Sequence, residues 1–190
     1  KYEPFFDDTH NYMVAKIKGV SSTLFYDPVE RTRATLHPNH TYEKVVFDSW
    51  HQDAWDTNDN ILLANPREDP DAGEFFRRLQ DLEFRPTWHE DRKDGQKGTE
   101  EQSAAQKAGD HSATPTRAYF DSLGRTFLTI SDNGPGGKYV ARLEIDIEGN
   151  QKAVIDARGR IVMRYRYDML GSSIRHESMD AGKHHDPSDE

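Results

Sequence analysis

Ile145-Asp146-Ile147-Glu148-Gly149 and Ile155-Asp156-Ala157-Arg158-Gly159 follow closely on one another, each setting Asp behind a large apolar residue and Gly three positions later. Phe120-Asp121-Ser122-Leu123-Gly124 and Tyr167-Asp168-Met169-Leu170-Gly171 repeat the device. Asp at the first position of a type I turn can accept bonds from N–H groups inside the turn. Gly at the fourth tolerates the positive φ that sends the chain back as a hairpin. Paired carboxylates for acid–base chemistry are the rival reading of these aspartates. The fixed Gly offset favours the corner, because a general base does not require it.

Between the corners the sequence reads as strands. In 138–148, Leu143, Ile145 and Ile147 alternate with Arg142, Glu144, Asp146 and Glu148. In 160–167, Ile161, Met163, Tyr165 and Tyr167 share one face, with Val162, Arg164 and Arg166 on the other. A period of two predicts one buried and one wet face, as antiparallel sheets allow. Weaker strands are expected at 12–18, 23–26, 41–47, 125–130 and 151–155. Turn signals at this interval indicate an all-β meander.

The texture changes along the chain. Residues 1–67 are aromatic-rich and β-like, and 68–118 form a charged, helix-like insertion. Residues 119–174 carry the hairpins, and 175–190 lack Ile, Leu, Val and Phe and read as a frayed tail. Helix starts of capping-box form stand at Asp71-Ala72-Gly73-Glu74, Thr87-Trp88-His89-Glu90 and Thr99-Glu100-Glu101-Gln102. The last should open a short helix to about residue 108, stopped by Gly109. It lacks an apolar stripe, which suggests a solvated excursion with 91–98 disordered. The expected fold is therefore mainly β and antiparallel, one structural unit interrupted by a helical, partly disordered insertion around 69–110.

Composition narrows the function. The 190 residues carry a net charge of −9 and no cysteine. That charge argues against non-specific nucleic-acid binding, which needs Lys and Arg on phosphates. Absence of Cys excludes a disulfide scaffold and thiolate metal sites. No apolar run approaches the ~20 residues of a membrane span. The start Lys1-Tyr2-Glu3-Pro4 lacks a signal peptide and an initiator Met and reads as an internal cut.

Other constellations admit a functional and a structural reading. Asp56-Thr57-Asn58-Asp59-Asn60 begins like a calcium loop, but Ile61 stands where Gly is needed and Arg67 where Glu is; an Asx-rich turn is preferred. His37 and His40 with His51 or Asp53 suggest a metal hydrolase, yet the Pro-containing segment does not converge three ligands; a turn is preferred there too. Trp50, Trp55 and Trp88, with Tyr42 and Phe47, are candidates for stacking on glycan or peptide, although core packing is preferred. Asn133-Gly134-Pro135-Gly136-Gly137 lies between strands and reads as a hairpin loop, not a phosphate cradle. No Gly-x-Ser-x-Gly nucleophile elbow is present.

Tyr26-Asp27 is a degenerate copy of the corner, with Pro28 presetting φ and Glu30 in the Gly position. Phe47-Asp48-Ser49-Trp50 is a further remnant. Together with Phe120-Asp121-Ser122-Leu123-Gly124-Arg125, Asp156-Ala157-Arg158-Gly159-Arg160 and Tyr167-Asp168-Met169-Leu170-Gly171, these resemble YD repeats of the rearrangement-hotspot (Rhs) family and of the B and C components of insecticidal toxin complexes. The run from Thr35-Leu36-His37-Pro38-Asn39-His40 through Thr41-Tyr42-Glu43-Lys44-Val45-Val46-Phe47-Asp48 is similar to a segment of Rhs-type toxins that carry an SpvB-like region. The resemblance implies a β-sheet spiralling into a shell around a toxic C-terminal domain, secreted as part of a larger protein. It implies a non-catalytic structural section without cofactor or metal, with the rest of the shell polypeptide and its enclosed toxin domain as partners. Self-association through sheet edges is a further expectation. Structural turns would lie at Asp27, Asp121, Gly124, Asp146, Gly149, Asp156, Gly159, Asp168 and Gly171. No Asp-directed self-cleavage is expected in this stretch. The alternative function is a glycan- or peptide-binding module using Trp50, Trp55 and Trp88.

Overall fold

A computed structural model describes residues 21–180 in full, and the backbone of short strands at 5–6, 12–13 and 182–185. The architecture is mainly antiparallel β. The chain divides into two compact units, Lys1–Val46 with Trp55–Ala113, and Phe47–Ala54 with Thr114–Glu190. This corrects the expectation of one unit with a solvated insertion. The inserted segment shares a buried aromatic core with the strands that precede it.

In the first unit β1 (Phe5–Phe6) pairs with β2 (Tyr12–Met13), while β3 (Thr23–Tyr26), β4 (Thr32–Leu36) and β5 (Tyr42–Phe47) form an antiparallel meander. Of the strand expected at 12–18, residues 14–18 lie outside the described residues. Ala34 and Leu36 alternate with Thr35 and turn inward with Tyr42, against Ala72, Phe75, Phe76 and Phe84. Phe76 is central: its ring lies 4.9 Å from Tyr42 and 5.4 Å from Phe84, both edge-on. Phe25 stacks on Phe75 at 5.2 Å.

The helices are short. α1 (Gly73–Phe76) is preceded by a 3-10 turn at Pro66–Glu68 and followed by another at Asp81–Glu83. The expected cap at Asp71 does not form: the N-cap is Ala72, without a side-chain cap bond, and Asp69 holds the turn that leads into the helix. Asp69 Oδ1 accepts the N–H groups of Asp71 at 2.8 Å and Ala72 at 2.9 Å, while Asp71 turns to Lys44. Gly73 is required by crowding, since a Cβ there would stand 2.5 Å from the Arg67 carbonyl oxygen. The Thr87 signal yields turns only, with Glu90 N–H donating to Thr87 Oγ1 at 3.3 Å. α2 (Thr99–Asp110) follows Gly98 rather than a side-chain cap and runs through Gly109. Residues 91–98, expected to be disordered, form turns closed by bonds such as Lys93 N–H to His89 O at 2.9 Å and Gly98 N–H to Gly95 O at 3.0 Å.

In the second unit β6 (His51–Trp55), β7 (Thr116–Phe120), β8 (Thr126–Asp132), β9 (Lys138–Ile145), β10 (Gln151–Ile155), β11 (Ile161–Tyr167), β12 (Ser173–Ser178) and β13 (Gly182–His185) each pair antiparallel with the next. β7 begins inside the expected insertion. The tail read as frayed is a hairpin instead, with Arg175 opposite His185 and Ser178 opposite Gly182; residues 186–190 lie outside the described residues. Backbone pairing rewards any sequence that reaches a free strand edge, so β12 and β13 form without an apolar alternation. The expected buried face is only half-buried. Among the described residues of this unit only Asp53 and Ala153 are buried, and Ile147 sits in a turn rather than on a strand.

Candidate functional site

The hairpin corners share one geometry. At Asp121, its N–H donates to Arg125 O at 2.9 Å and its carbonyl receives Gly124 N–H at 2.9 Å. Its carboxylate accepts Leu123 N–H at 2.9 Å, Arg125 N–H at 3.0 Å and Arg125 Nε at 2.7 Å. Asp156 repeats this with Arg158 N–H and Arg160 N–H, both at 2.9 Å, and Arg160 Nε at 2.8 Å. Asp27 does the same with Val29 and Arg31. In the turns of Asp146 and Asp168, Asn150 and Ser172 replace the arginine. Gly124, Gly149, Gly159 and Gly171 all have φ between 74° and 100°, and Glu30, in the equivalent place, is held at 65°. Ladder irregularities follow at Tyr26, Phe120, Ile155 and Tyr167, as expected of a type I turn closed by a left-handed residue.

These carboxylates are committed to their own loops. The Arg125 N–H holds the Asp121 carboxyl below its usual range, and the Arg160 guanidinium does the same for Asp156. A base needs a free lone pair and a pKa near the working pH. Asp27, Asp121, Asp146, Asp156 and Asp168 belong to separate turns, each bonded to its own turn residues.

The histidine candidates are placed in turns and ion pairs. His37 N–H donates to Thr41 O at 2.8 Å, and His40 adopts φ 62°, so His-Pro-Asn-His closes a corner like those of the aspartates. His40 Nδ1 lies 2.8 Å from Pro86 O, His51 Nδ1 lies 2.9 Å from Asp48, and Asp53 is engaged by Arg117 at 2.5 Å. Among the described residues no three His, Asp or Glu side chains are arranged to hold a metal. Asp56 accepts the N–H groups of Asn58 and Asp59, which makes the calcium-like run an Asx turn. Asn133–Gly137 is a hairpin loop whose ends bond, Asn133 N–H to Gly137 O at 2.9 Å.

The tryptophans were expected in the core and are not. Trp50 is 60% exposed, in the turn where Asp48 accepts the N–H groups of Trp50 and His51. Trp55 and Trp88 are half-buried, and each ring is covered by a cation at 4.6 Å, Lys44 over Trp55 and Arg92 over Trp88. One face of each of these two rings is thus taken by the chain's own cation.

A buried ionic cluster escaped the sequence reading. Lys44 Nζ lies 2.9 Å from Asp69 Oδ1 and 2.7 Å from Asp71 Oδ2. Tyr42 OH donates to Asp69 Oδ2 at 2.6 Å. Burial alone would raise the Asp69 carboxyl, but the Tyr42 hydroxyl and the Lys44 ammonium outweigh it and hold the group low. Burial and the neighbouring Asp69 push the Tyr42 phenol up. The signal was present: Lys44 shares a strand face with Tyr42 by alternation. With Tyr42, Lys44, Asp71 N–H and Ala72 N–H all donating to it, Asp69 is a lock and not a free acid or nucleophile.

By sequence, no known protein family and no curated protein matches the chain. Solved structures do match its fold. A Tc holotoxin pore from Photorhabdus luminescens aligns over 86% of this chain with a TM-score of 0.59 at 19% identity. A TcdB2–TccC3 crystal structure aligns over 86% at a TM-score of 0.57 and 18% identity, and a TcdB2–TccC3–Cdc42 crystal structure over 86% at 0.58 and 18%. The fold is that of a Tc toxin segment. The chain spans about 7% of the length of those Tc toxin chains. Among the described residues no helix is long and apolar enough to cross a membrane.

Proposed function

We propose that this chain is a non-catalytic section of an Rhs/YD-repeat toxin polypeptide, contributing to a β-sheet casing around a toxic C-terminal cargo. The carrying observation is the repeated five-residue corner, in which Asp and a left-handed fourth residue return the strand to an antiparallel meander. The likeness to Tc toxin chains over 86% of the sequence supports it. In this reading Asp27, Asp121, Asp146, Asp156 and Asp168 build turns and take no part in catalysis. The work done is sequestration: a closed sheet keeps proteases out and keeps the cargo from its target. The sheet's partners are the remaining wall and the enclosed domain, and the assembled toxin acts outside the producing cell.

The test is the structure of the complete polypeptide that carries this sequence. The reading expects residues 21–180 in the wall of a closed cavity, with cargo density inside. An open, solvent-filled module, or turnover that survives removal of the C-terminal domain and depends on this section, would overturn it.

A further inference from the structure

In an antiparallel meander alternate turns share an end of the sheet. The turns after β7, β9 and β11 therefore lie along one rim of the second unit, and the Asp48–His51 turn adjoins them through Phe120 N–H to Trp50 O at 2.8 Å. Arg125 Nη1 reaches Asp146 O at 3.3 Å, and a Cβ on Gly171 would stand 3.9 Å from Asn150 Oδ1, so successive corners touch. This rim carries Trp50, Leu123 (71% exposed), Ile147 (94%), Met169 (98%) and Leu170 (91%). Same-end turns repeat about every 9–10 Å, two strand spacings. The tips offer on the order of 600 Å² of apolar surface, at the upper end for a monomer's largest patch. The opposite tips carry Pro135, Ala157-Arg158 and Met179-Asp180, of which Met179 alone is a large aliphatic side chain.

Two further observations choose the occupant. Backbone groups of the corners are spent inside the loops, so the rim offers side chains and not a strand edge. The tips are also acidic. Asp48, Asp121, Asp146, Glu148 and Asp168 stand there against the single guanidinium of Arg125, which Asp121 engages. An anionic lipid surface is repelled by such a rim, and so is a second copy meeting it rim to rim.

We propose that this rim docks a polypeptide surface that presents aliphatic side chains flanked by Lys or Arg. Apolar tips supply contact area, and the carboxylates select the partner's charge. The proposal does not depend on the casing reading, since it concerns the sheet's end and not what its faces enclose.

The probe is an amphipathic Leu/Lys helical peptide titrated into the full chain by calorimetry, with a Leu/Glu peptide of the same pattern as control. The variant carries Leu123→Ser, Ile147→Ser, Met169→Ser and Leu170→Ser, which leaves net charge and turn bonds in place; circular dichroism checks its fold. The expected result is binding of the Leu/Lys peptide alone, weakened about tenfold or more in the variant and unchanged by Met179→Ser. Equal binding by the variant would show charge attraction only and overturn the proposal. So would equal binding of the Leu/Glu peptide, variant-sensitive partitioning onto phosphatidylcholine vesicles in place of peptide binding, or variant-sensitive self-association in sedimentation. If the variant misfolds, Ile147→Ser and Met169→Ser singly, each at a fully solvated tip, decide by the same readout.

Discussion

Lys44 and Asp69 meet at 2.9 Å with their side chains 4% and 2% exposed, one on a strand and the other at the entry to a four-residue helix. Tyr42, one strand alternation from Lys44, donates to the same carboxylate. The pair joins the strand meander to the segment that supplies Phe75, Phe76 and Phe84. Its value lies in choosing where that segment docks, because desolvation offsets most of the Coulomb gain of a buried pair.

Removing one partner should therefore cost far more than replacing both. Asp69→Asn leaves the buried Lys44 with the half-exposed Asp71 as its one remaining counter-ion in this cluster and loosens the turn that leads into α1. Lys44→Met leaves Asp69 with its hydroxyl and amide donors but without an ammonium. Each should destabilise by about 3–5 kcal/mol, while Lys44→Met with Asp69→Leu should cost less than the sum of the singles. Urea unfolding of the singles and the double gives the coupling. Strict additivity would refute a shared lock.

The pH dependence has a definite sign. Asp69 has its carboxyl lowered in the folded state, and Asp121 and Asp156 do too. Such groups contribute stability that is fully present above the ordinary carboxyl pKa and is lost as pH falls through the folded value. Thermal midpoints should hold steady from neutral pH into mild acid and then fall below about pH 4. Asp69→Asn should flatten the acid limb. An unchanged limb would remove Asp69 from the list of responsible groups.

The corners predict opposite signs for adding and for removing a side chain at the left-handed position. Gly159 has φ 76° with open space where a Cβ would go, so Gly159→Ala should cost only the left-handed strain, about 1 kcal/mol. Gly149→Ala should cost more, because its Cβ would meet Arg125 Nη1 at 3.2 Å. Glu30→Gly should stabilise, by roughly 0.5 kcal/mol after the added freedom of the unfolded chain. Melting curves of the three variants rank them. A stabilising Gly159→Ala would be incompatible with the corner geometry.

The corners were legible because Asp and Gly stand at a fixed offset and each has a local reason to be there. β9 and β11 were legible from alternation. β7, β12 and β13 were not, since their stability comes from pairing with neighbours and their sequences carry little apolar pattern. Lys44 was hidden because a lysine between strand residues reads as solvated; only its distant partner Asp69 makes burial affordable. Asp69 and Asp71 both fit a helix start and both reach Lys44, and what sets Asp69 apart is the Tyr42 hydroxyl and the two N–H groups it also accepts. The tryptophans misled for the reverse reason. Size suggested core, but cations cover Trp55 and Trp88, and a turn exposes Trp50.

Phe76 is the residue on which the first unit's core converges. It is fully buried, with Phe25, Tyr42 and Phe84 within 5.6 Å of its ring centre. Phe76→Ala should cost about 3–5 kcal/mol, the sum of lost transfer energy and a cavity that three aromatic neighbours cannot close. Phe76→Leu should recover most of it. The ring contacts of Phe76 lie within the first unit, whereas the half-buried strands of the second rest on ladder bonds and corners. Hydrogen exchange should therefore show protection lost over 32–36, 42–46 and 72–84 in Phe76→Ala. Protection in β9 to β11 should change little. Equal loss in both regions would mean that the two units unfold as one.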